Sequence, residues 1–154
     1  MADARKATLK DIPELKGLYL ELMLRFEKMD SFDAQDRSYW KTKAEAYLRK
    51  MIKGKRDMFI VLEEDSSLIG FAHLTLIKRD PTFKIKEEGH IEAMFIVPEH
   101  RKKGYGKLLF NESIRLLKKK GMKHFTVSTH AKDWRANSFW KRMGFKEYNI
   151  KYRK

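Results

Sequence analysis

The chain has 154 residues, of which 42% are hydrophobic, and its formal net charge is +14 at pH 7. This length suits one domain with a buried core, and the apolar content excludes a largely disordered chain. The sequence has no cysteine and no apolar run that could span a bilayer, so proteins that depend on disulfides, on a thiol nucleophile or on a membrane span are excluded.

The first third of the sequence predicts a short strand followed by two amphipathic helices. Arg5–Leu9 has the pattern of an edge strand, and Asp11 can cap the helix that follows it. Apolar residues then recur at three- and four-residue steps as far as Phe26, which is typical of a helix with one buried face. A second helix is predicted from Tyr39 to Ile52, and Gly54 ends it.

The middle of the sequence is dominated by apolar runs that predict strands. Met58–Leu62 and Leu68–Ile77 are separated by an acidic turn, and Lys78–Glu88 is predicted to be a long hairpin loop. A third run follows at about His90–Val97. Pro98 ends that strand because proline cannot donate a hydrogen bond to a sheet.

The last third predicts a helix, a strand, a helix and a final strand. The first of these helices runs to about Lys120, and the strand is expected at His124–Thr129. The second helix ends at Gly144. Lys146–Tyr152 alternates charged and apolar residues, which predicts an edge strand.

The stretch from Ile91 to Lys107 organises the rest of the chain, because it reads as strand, loop and helix. The loop Arg101–Gly106 is basic and contains Gly104 and Gly106. The start of a helix presents free N–H groups and the positive end of the helix dipole, and glycine lets a phosphate approach the backbone closely. The corner therefore predicts an anion-binding site, with a solvated basic turn or a nucleic-acid patch as the alternatives.

The loop fits the pattern Arg/Gln-x-x-Gly-x-Gly/Ala, and the chain closely resembles the GCN5-related N-acetyltransferase (GNAT) superfamily. The order of elements agrees with that superfamily over nearly the whole chain. The resemblance implies an α/β fold of the α+β type, with a single mixed, mostly antiparallel sheet flanked by helices in one domain over residues 1–154. It also implies that acetyl-CoA is the cosubstrate and that the loop amides wrap its pyrophosphate. The residues expected to bind the coenzyme here are Phe95, Ile96, Val97, Arg101, Lys102, Lys103, Gly104, Tyr105, Gly106 and Lys107.

A second stretch, Phe139–Phe145, resembles the later signature Leu/Phe-Tyr-x-Lys-x-Gly-Phe of the same superfamily. In many members the tyrosine protonates the departing thiolate, but this chain has Trp140, whose indole N–H is not a useful acid. A thiolate whose thiol has a pKa of about 8.5 is a fair leaving group, so water can protonate it. Tyr148 and Tyr152 are alternative donors, and core packing is the other role for Trp140.

The superfamily also often has an asparagine early in this last helix that contacts the coenzyme. We expect Asn137 to take that role, and Trp140 to lie against the coenzyme as well. Asp133 occupies the position where the asparagine would first be sought, but an aspartate there is better explained as a helix cap.

Transfer of an acetyl group to an amine requires a base, because an ammonium group has no lone pair. Many members of the superfamily have a glutamate at the position of Glu92, so Glu92 is the first candidate for the general base. His90 is the second, since residues two apart in a strand share a face. The alternative is that Glu92 is a surface residue of an acidic strand end. His73 and His130 are interpreted as structural.

The leading hypothesis is therefore acetyl transfer from acetyl-CoA to a primary amine of a small molecule or a protein. Two alternatives stay open: a non-catalytic acyl-CoA-binding domain, which Trp140 would allow, and a basic nucleic-acid-binding module. Nucleic acid is disfavoured because the lysines are spread through the chain. No histidine and carboxylate spacing predicts a metal site. A cytoplasmic protein, monomeric or homodimeric and without a membrane partner, is expected.

Overall fold

The computed structural model describes residues 1–154, and one five-stranded sheet in the order β1–β2–β3–β4–β5 forms its centre. Strands β1 to β4 are antiparallel to their neighbours, and β5 joins β4 in parallel. The predicted mixed, mostly antiparallel sheet is thus confirmed. The strands are β1 Asp3–Lys6, β2 Asp57–Glu64, β3 Ser67–Lys78, β4 Glu87–Ile96 and β5 Phe125–Val127.

Five α-helices cover the sheet. Short 3₁₀ turns precede α1, α2 and the loop Arg101–Gly106. None of the helices is both long enough and apolar enough to cross a membrane. The helices are α1 Ile12–Met29, α2 Arg37–Thr42, α3 Ala44–Lys53, α4 Tyr105–Lys119 and α5 Trp134–Arg142, and the 3₁₀ turns are Leu9–Asp11, Ser31–Asp33 and Pro98–His100.

The core consists of two hydrophobic clusters on opposite faces of the sheet. Successive strand residues point to opposite faces, so Phe59 and Val61 of β2 join the cluster under α1 and α3, whereas Met58 and Ile60 join the other. The second cluster is completed by apolar residues of α4 and α5. Both faces of the sheet are therefore covered by helices, as expected for a layered α/β domain.

Three sequence-based predictions about individual elements are wrong. The helix predicted over Tyr39–Ile52 is interrupted at Lys43, whose φ of −121° ends α2 before α3 begins. Strand β1 begins two residues and ends three residues earlier than predicted, and Leu9 already belongs to a 3₁₀ turn. The tail Lys146–Tyr152 forms no strand. Its apolar side chains are exposed and meet no neighbouring strand, so alternation alone did not produce pairing.

A β-bulge in β4 shapes the part of the sheet that matters for function. His73 of β3 pairs with Ala93, but the next residue, Leu74, pairs with Ile91, which leaves Glu92 as an extra residue. The ladder between β4 and β5 ends at Ile91 and Val127. Bulges bend the strand that carries them, and β4 and β5 part at this point.

Candidate active site

A cleft opens where β4 and β5 separate. Its floor and walls come from residues 91–96 of β4, residues 127–130 at and after the end of β5, one turn of α1, and α5 as far as Trp140. Arg101 and Gly106 of the loop before α4 lie at its edge. The cleft therefore joins the bulge at one end to the glycine-containing loop at the other.

The β4 side of the cleft is an open strand edge. Residues 93–96 pair with β3 on one side and have no strand on the other. Such an edge presents unpaired backbone N–H and C=O groups that can bind an extended chain. Phe95 is buried, while Ile96 and Val97 are half-buried at the end of this edge. An elongated ligand with amide groups of its own can thus pair with β4.

The loop before α4 has the backbone of an anion-binding corner. Gly104 caps the 15-residue helix with a φ of +83°, a left-handed conformation that glycine adopts without strain. Lys102, Lys103 and Lys107 are exposed around it. Free amides, the helix dipole and three ammonium groups all favour a bound anion here.

Gly106 lines the cleft and also packs closely against α5. A Cβ placed on Gly106 would lie 3.2 Å from the ring of Phe139. The absence of a side chain thus lets the first turn of α4 pack against α5.

Three arginines concentrate positive charge in the cleft. The Nε of Arg101 donates to the carbonyl oxygen of Ile96 at 2.8 Å, and its guanidinium lies 5.4 Å from the centre of the Phe95 ring. Arg25 of α1 and Arg135 of α5 line the same cleft. Burial, and then the charges of these two arginines, lower the pKa of Arg101. Mutual repulsion of this kind is relieved when an anionic ligand binds.

Sequence reasoning missed Arg25 and Arg135, because nothing in the local pattern indicates that α1 and α5 meet across the cleft. Arg25 is held by Asp133, which lies 3.0 Å from its Nη2. Asp133 also accepts a hydrogen bond from the backbone N–H of Ala136 at 3.2 Å and so caps α5, as expected. One carboxylate therefore orients both the helix and the arginine.

Tyr105 directs its side chain away from the cleft. Its hydroxyl donates to Glu64 at 2.9 Å, at the end of β2. Only the backbone of Tyr105 remains for the ligand contact that the motif implies. The side chain instead fastens the start of α4 to the sheet.

Asn137 does not line the cleft, and its side chain holds the loop between β5 and α5 in place. The amide nitrogen donates to the carbonyl oxygens of His130 and Ala131 at 3.3 and 3.4 Å, and the amide oxygen accepts from the hydroxyl of Thr129. This position explains the asparagine without a ligand.

Trp140 both packs in the core and lines the cleft. Only 7% of its surface is exposed, and its ring makes edge-to-face contacts with Phe110, Phe139 and Phe145. The position expected for a proton-donating tyrosine is thus filled by a rigidly packed indole.

Glu92 and His90 lie together on the far side of the cleft, at the bulge. The Nε2 of His90 is 3.5 Å from a carboxylate oxygen of Glu92, and the Glu92 side chain is 50% exposed whereas that of His90 is buried. The Nδ1 of His90 contacts the Thr126 hydroxyl at 2.7 Å, and that hydroxyl donates to Glu88 at 3.2 Å. The Thr126 hydroxyl can therefore accept a hydrogen bond from Nδ1 of His90, and the Ser128 hydroxyl lies 3.5 Å from its Nε2.

A second polar network borders this pair and involves His73. The Nδ1 of His73 lies 3.0 Å from the hydroxyl of Tyr19, and its Nε2 lies 2.7 Å from Asp57. Burial lowers the pKa of His73 and raises that of Tyr19, so both are neutral at pH 7. His130, by contrast, stacks on Phe26 at the cleft wall.

No three His, Cys, Asp or Glu side chains are placed together in a way that could hold a metal ion. The cleft therefore offers backbone amides, arginines, a carboxylate and an imidazole as its functional groups. This set can bind an elongated anionic ligand and accept a proton at one end of it.

The sequence profile of the acetyltransferase (GNAT) family matches residues 21–145. An uncharacterized N-acetyltransferase of Methanocaldococcus jannaschii is 26% identical over 148 residues, which are 95% of this chain and 61% of that protein. The chain thus spans about three fifths of the length of that relative.

Two solved structures share the fold. A predicted acetyltransferase of Clostridium acetobutylicum, solved with acetyl-CoA, has a TM-score of 0.77 at 19% identity, with 99% of this chain and 95% of the other covered. The aminoglycoside N-acetyltransferase AAC(6')-Iy, solved with CoA, has a TM-score of 0.79 at 18% identity, with 100% and 95% covered.

Proposed function

We propose, from the premise that this chain belongs to the GNAT family of acetyltransferases, that it transfers an acetyl group from acetyl-CoA to a primary amine. The observation that carries the proposal is the continuity of one cleft from the Gly104 corner to Glu92. A phosphate site, an open strand edge and a candidate base lie along it in that order. A single domain over residues 1–154 is part of the proposal.

The residues of the cleft fit coenzyme A piece by piece. The loop amides, with Arg25, Arg101 and Arg135, offer charge for its phosphates. The open edge of residues 93–96 offers hydrogen bonds for the amides of its pantetheine arm. Acetyl-CoA supplies an activated acetyl group, and these contacts would direct that group toward the bulge.

Glu92 is the proposed general base, with His90 as its neighbour. The amine arrives mainly as an ammonium ion, and a proton must pass to Glu92, directly or through water, before nitrogen can attack the acetyl carbon. The new C–N bond forms as the C–S bond breaks, and the thiolate leaves. The nitrogen then releases its second proton to water, which balances the proton that the thiolate takes up. Because Trp140 offers no acidic proton, water protonates the thiolate in this proposal.

The half-exposed position of Glu92 supports this role, because the carboxylate is both reachable by an acceptor and close to a buried imidazole. The alternative, a non-catalytic acyl-CoA-binding domain, rests on Trp140 alone. It predicts coenzyme binding without thiol release for any amine.

The deciding experiment measures binding and turnover separately. Isothermal titration with acetyl-CoA at low salt tests the cleft, and release of free thiol across a panel of primary amines tests transfer. We expect heat of binding and amine-dependent thiol release. No binding would overturn the family-based proposal for the cleft, whereas binding without release for every amine would support the non-catalytic alternative.

A further inference from the structure

An aromatic wall flanks the bulge on the face of the sheet covered by α1. It consists of Tyr19 of α1, Tyr39 and Trp40 of α2, and Tyr47 of α3. Ring centres are 6.2 Å apart for Tyr19 and Trp40, 6.0 Å for Tyr39 and Trp40, and 6.5 Å for Tyr39 and Tyr47. These aromatic contacts link the three helices into one continuous patch.

The aromatic wall is open to solvent. Tyr19, Tyr39 and Trp40 are half-buried, and Tyr47 is 54% exposed. The indole N–H of Trp40 donates to the side-chain oxygen of Gln35 at 3.0 Å, which fixes the orientation of the ring. Rings held in this way can offer their faces to a ligand with little loss of side-chain entropy.

The aromatic wall adjoins Glu92 through Tyr19. The hydroxyl of Tyr19 contacts His73, and His73 pairs across the sheet with Ala93, the residue after Glu92. Burial first, and then the negative charge of Glu92, raise the pKa of Tyr19. Tyr19 and His73 thus connect the aromatic wall to the strand segment that carries Glu92.

The charges at the two ends of the cleft have opposite sign. Arg25, Arg101 and Arg135 line the end toward the loop Arg101–Gly106. Glu92 lies at the other end, 3.5 Å from His90, while Asp57, outside the cleft, contacts His73 beside the aromatic wall at 2.7 Å. In a chain with a net charge of +14, local carboxylates and π faces are what a cationic ligand would require.

We propose that the aromatic wall and Glu92 together form the acceptor subsite for an aliphatic diamine, in which one amine reacts and the other stays charged. The reacting nitrogen must lose a proton near Glu92, so it cannot also supply a lasting positive charge. A second ammonium group can keep its charge over the faces of Trp40 and the tyrosines. This inference rests on the proposed function and adds the substrate class.

The test compares three acceptors of equal chain length at saturating acetyl-CoA. These are 1,4-diaminobutane, butylamine and 4-aminobutyrate. We expect kcat/KM for the diamine to exceed that for butylamine by about tenfold, as a partly desolvated cation–π contact allows. The amino acid should be the poorest acceptor, because its amine must react at Glu92 and its carboxylate would then lie over the electronegative ring faces of the aromatic wall.

Two substitutions test whether the aromatic wall causes the preference for the diamine. Trp40→Leu should raise the KM for the diamine about tenfold, and by more than it raises the KM for butylamine, which has no second cation to lose its contact. Tyr47→Leu, at a residue 54% exposed, should act in the same direction without loss of core packing. Trp134→Leu is the matched control, because Trp134 is 67% exposed on α5 and outside the aromatic wall.

The outcomes separate the inference from the proposed function. Equal or better turnover of butylamine or 4-aminobutyrate, or an unchanged diamine KM in both aromatic-wall variants, overturns the diamine subsite while leaving acetyl transfer intact. Binding of acetyl-CoA without thiol release for any amine overturns the transfer reaction itself, and the diamine inference falls with it.

Discussion

Tyr105 and Glu64 are 41 residues apart in sequence, yet the phenol donates a 2.9 Å hydrogen bond to the carboxylate. Glu64 also lies 2.9 Å from Nδ1 of His100. One carboxylate at the end of β2 therefore bonds to Tyr105 after the loop Arg101–Gly104 and lies close to His100 before it, although the geometry with His100 is not that of a hydrogen bond. The bond with Tyr105 raises the pKa of the phenol and lowers that of Glu64.

Tyr105→Phe removes this bond and keeps the ring. We expect the affinity for acetyl-CoA to fall about two- to tenfold, the range of one ordinary hydrogen bond, because the loop becomes less ordered. The kcat at saturation should not change. Titration calorimetry measures the affinity, with Tyr148→Phe in the exposed tail as the control. An unchanged dissociation constant would show that the loop is ordered without this bond.

Gly104→Val should abolish binding of acetyl-CoA while leaving the fold largely intact. Gly121→Val is a matched control, since Gly121 has a φ of +89° against +83° for Gly104, and neither has an atom near its missing Cβ. Both variants carry a similar strain, about 1–2 kcal/mol for a left-handed residue. Loss of binding in both would point to a general effect of strain rather than to the loop.

Glu92→Gln keeps the shape of the side chain and removes the base. We expect kcat to fall about a hundred- to ten-thousandfold with little change in affinity for acetyl-CoA. The loss should shrink toward pH 9, because an acceptor amine with a pKa of about 10.4 is then neutral more often. Glu87→Gln, at an exposed residue of the same strand, is the control. If Glu92→Gln keeps full activity from pH 6 to 9, Glu92 is not the base, and His90 becomes the residue to test.

Trp140→Tyr should leave kcat unchanged or raise it, because the indole contributes no proton. The variant should also lose stability by about 1–3 kcal/mol, since a smaller ring leaves a gap among Phe110, Phe139 and Phe145. Trp140→Phe leaves a similar gap but has no hydroxyl. A comparison of the Tyr and Phe variants therefore separates the effect of packing from that of proton donation. A hundredfold loss of kcat in a stable Trp140→Tyr protein would show that the indole positions a substrate.

Thermal stability should fall between pH 7 and pH 5, and His73 should cause part of that fall. Burial lowers the pKa of His73 in the folded protein, whereas the unfolded residue titrates near about 6.5. The unfolded chain therefore binds more protons in this window, and stability decreases as pH falls. His73→Gln should flatten the dependence of Tm on pH. His124→Gln, at an exposed histidine, should retain it.

The sequence predicted the parts of the fold whose signals are local. The apolar run that ends at Pro98, the glycine at position 104 and the periodic residues of α4 lie within one short stretch, and the structure contains the strand, loop and helix in that order. The sheet type followed from the family resemblance. Each of these needed no knowledge of which distant residues meet.

The parts that were missed depend on distant contacts. The bulge at Glu92 is visible only from the pairing of β4 with β3, and Arg25 enters the cleft only because α1 crosses toward α5. In the tail, by contrast, a local pattern predicted a strand that is absent. Tyr148 and Tyr152 belong to an alternating stretch, but they are exposed and no strand pairs with it. The close contact between Gly106 and Phe139 likewise depends on how α4 packs against α5.

The parting of β4 and β5 would give the coenzyme, bound as proposed, a second role as the missing strand of the sheet. Without a ligand, residues 93–96 expose an unpaired edge, and such edges are templates for aggregation. A ligand at a hundred times its dissociation constant stabilises a protein by about 2.7 kcal/mol. The purified protein should therefore aggregate more slowly when it is stored with acetyl-CoA than without it.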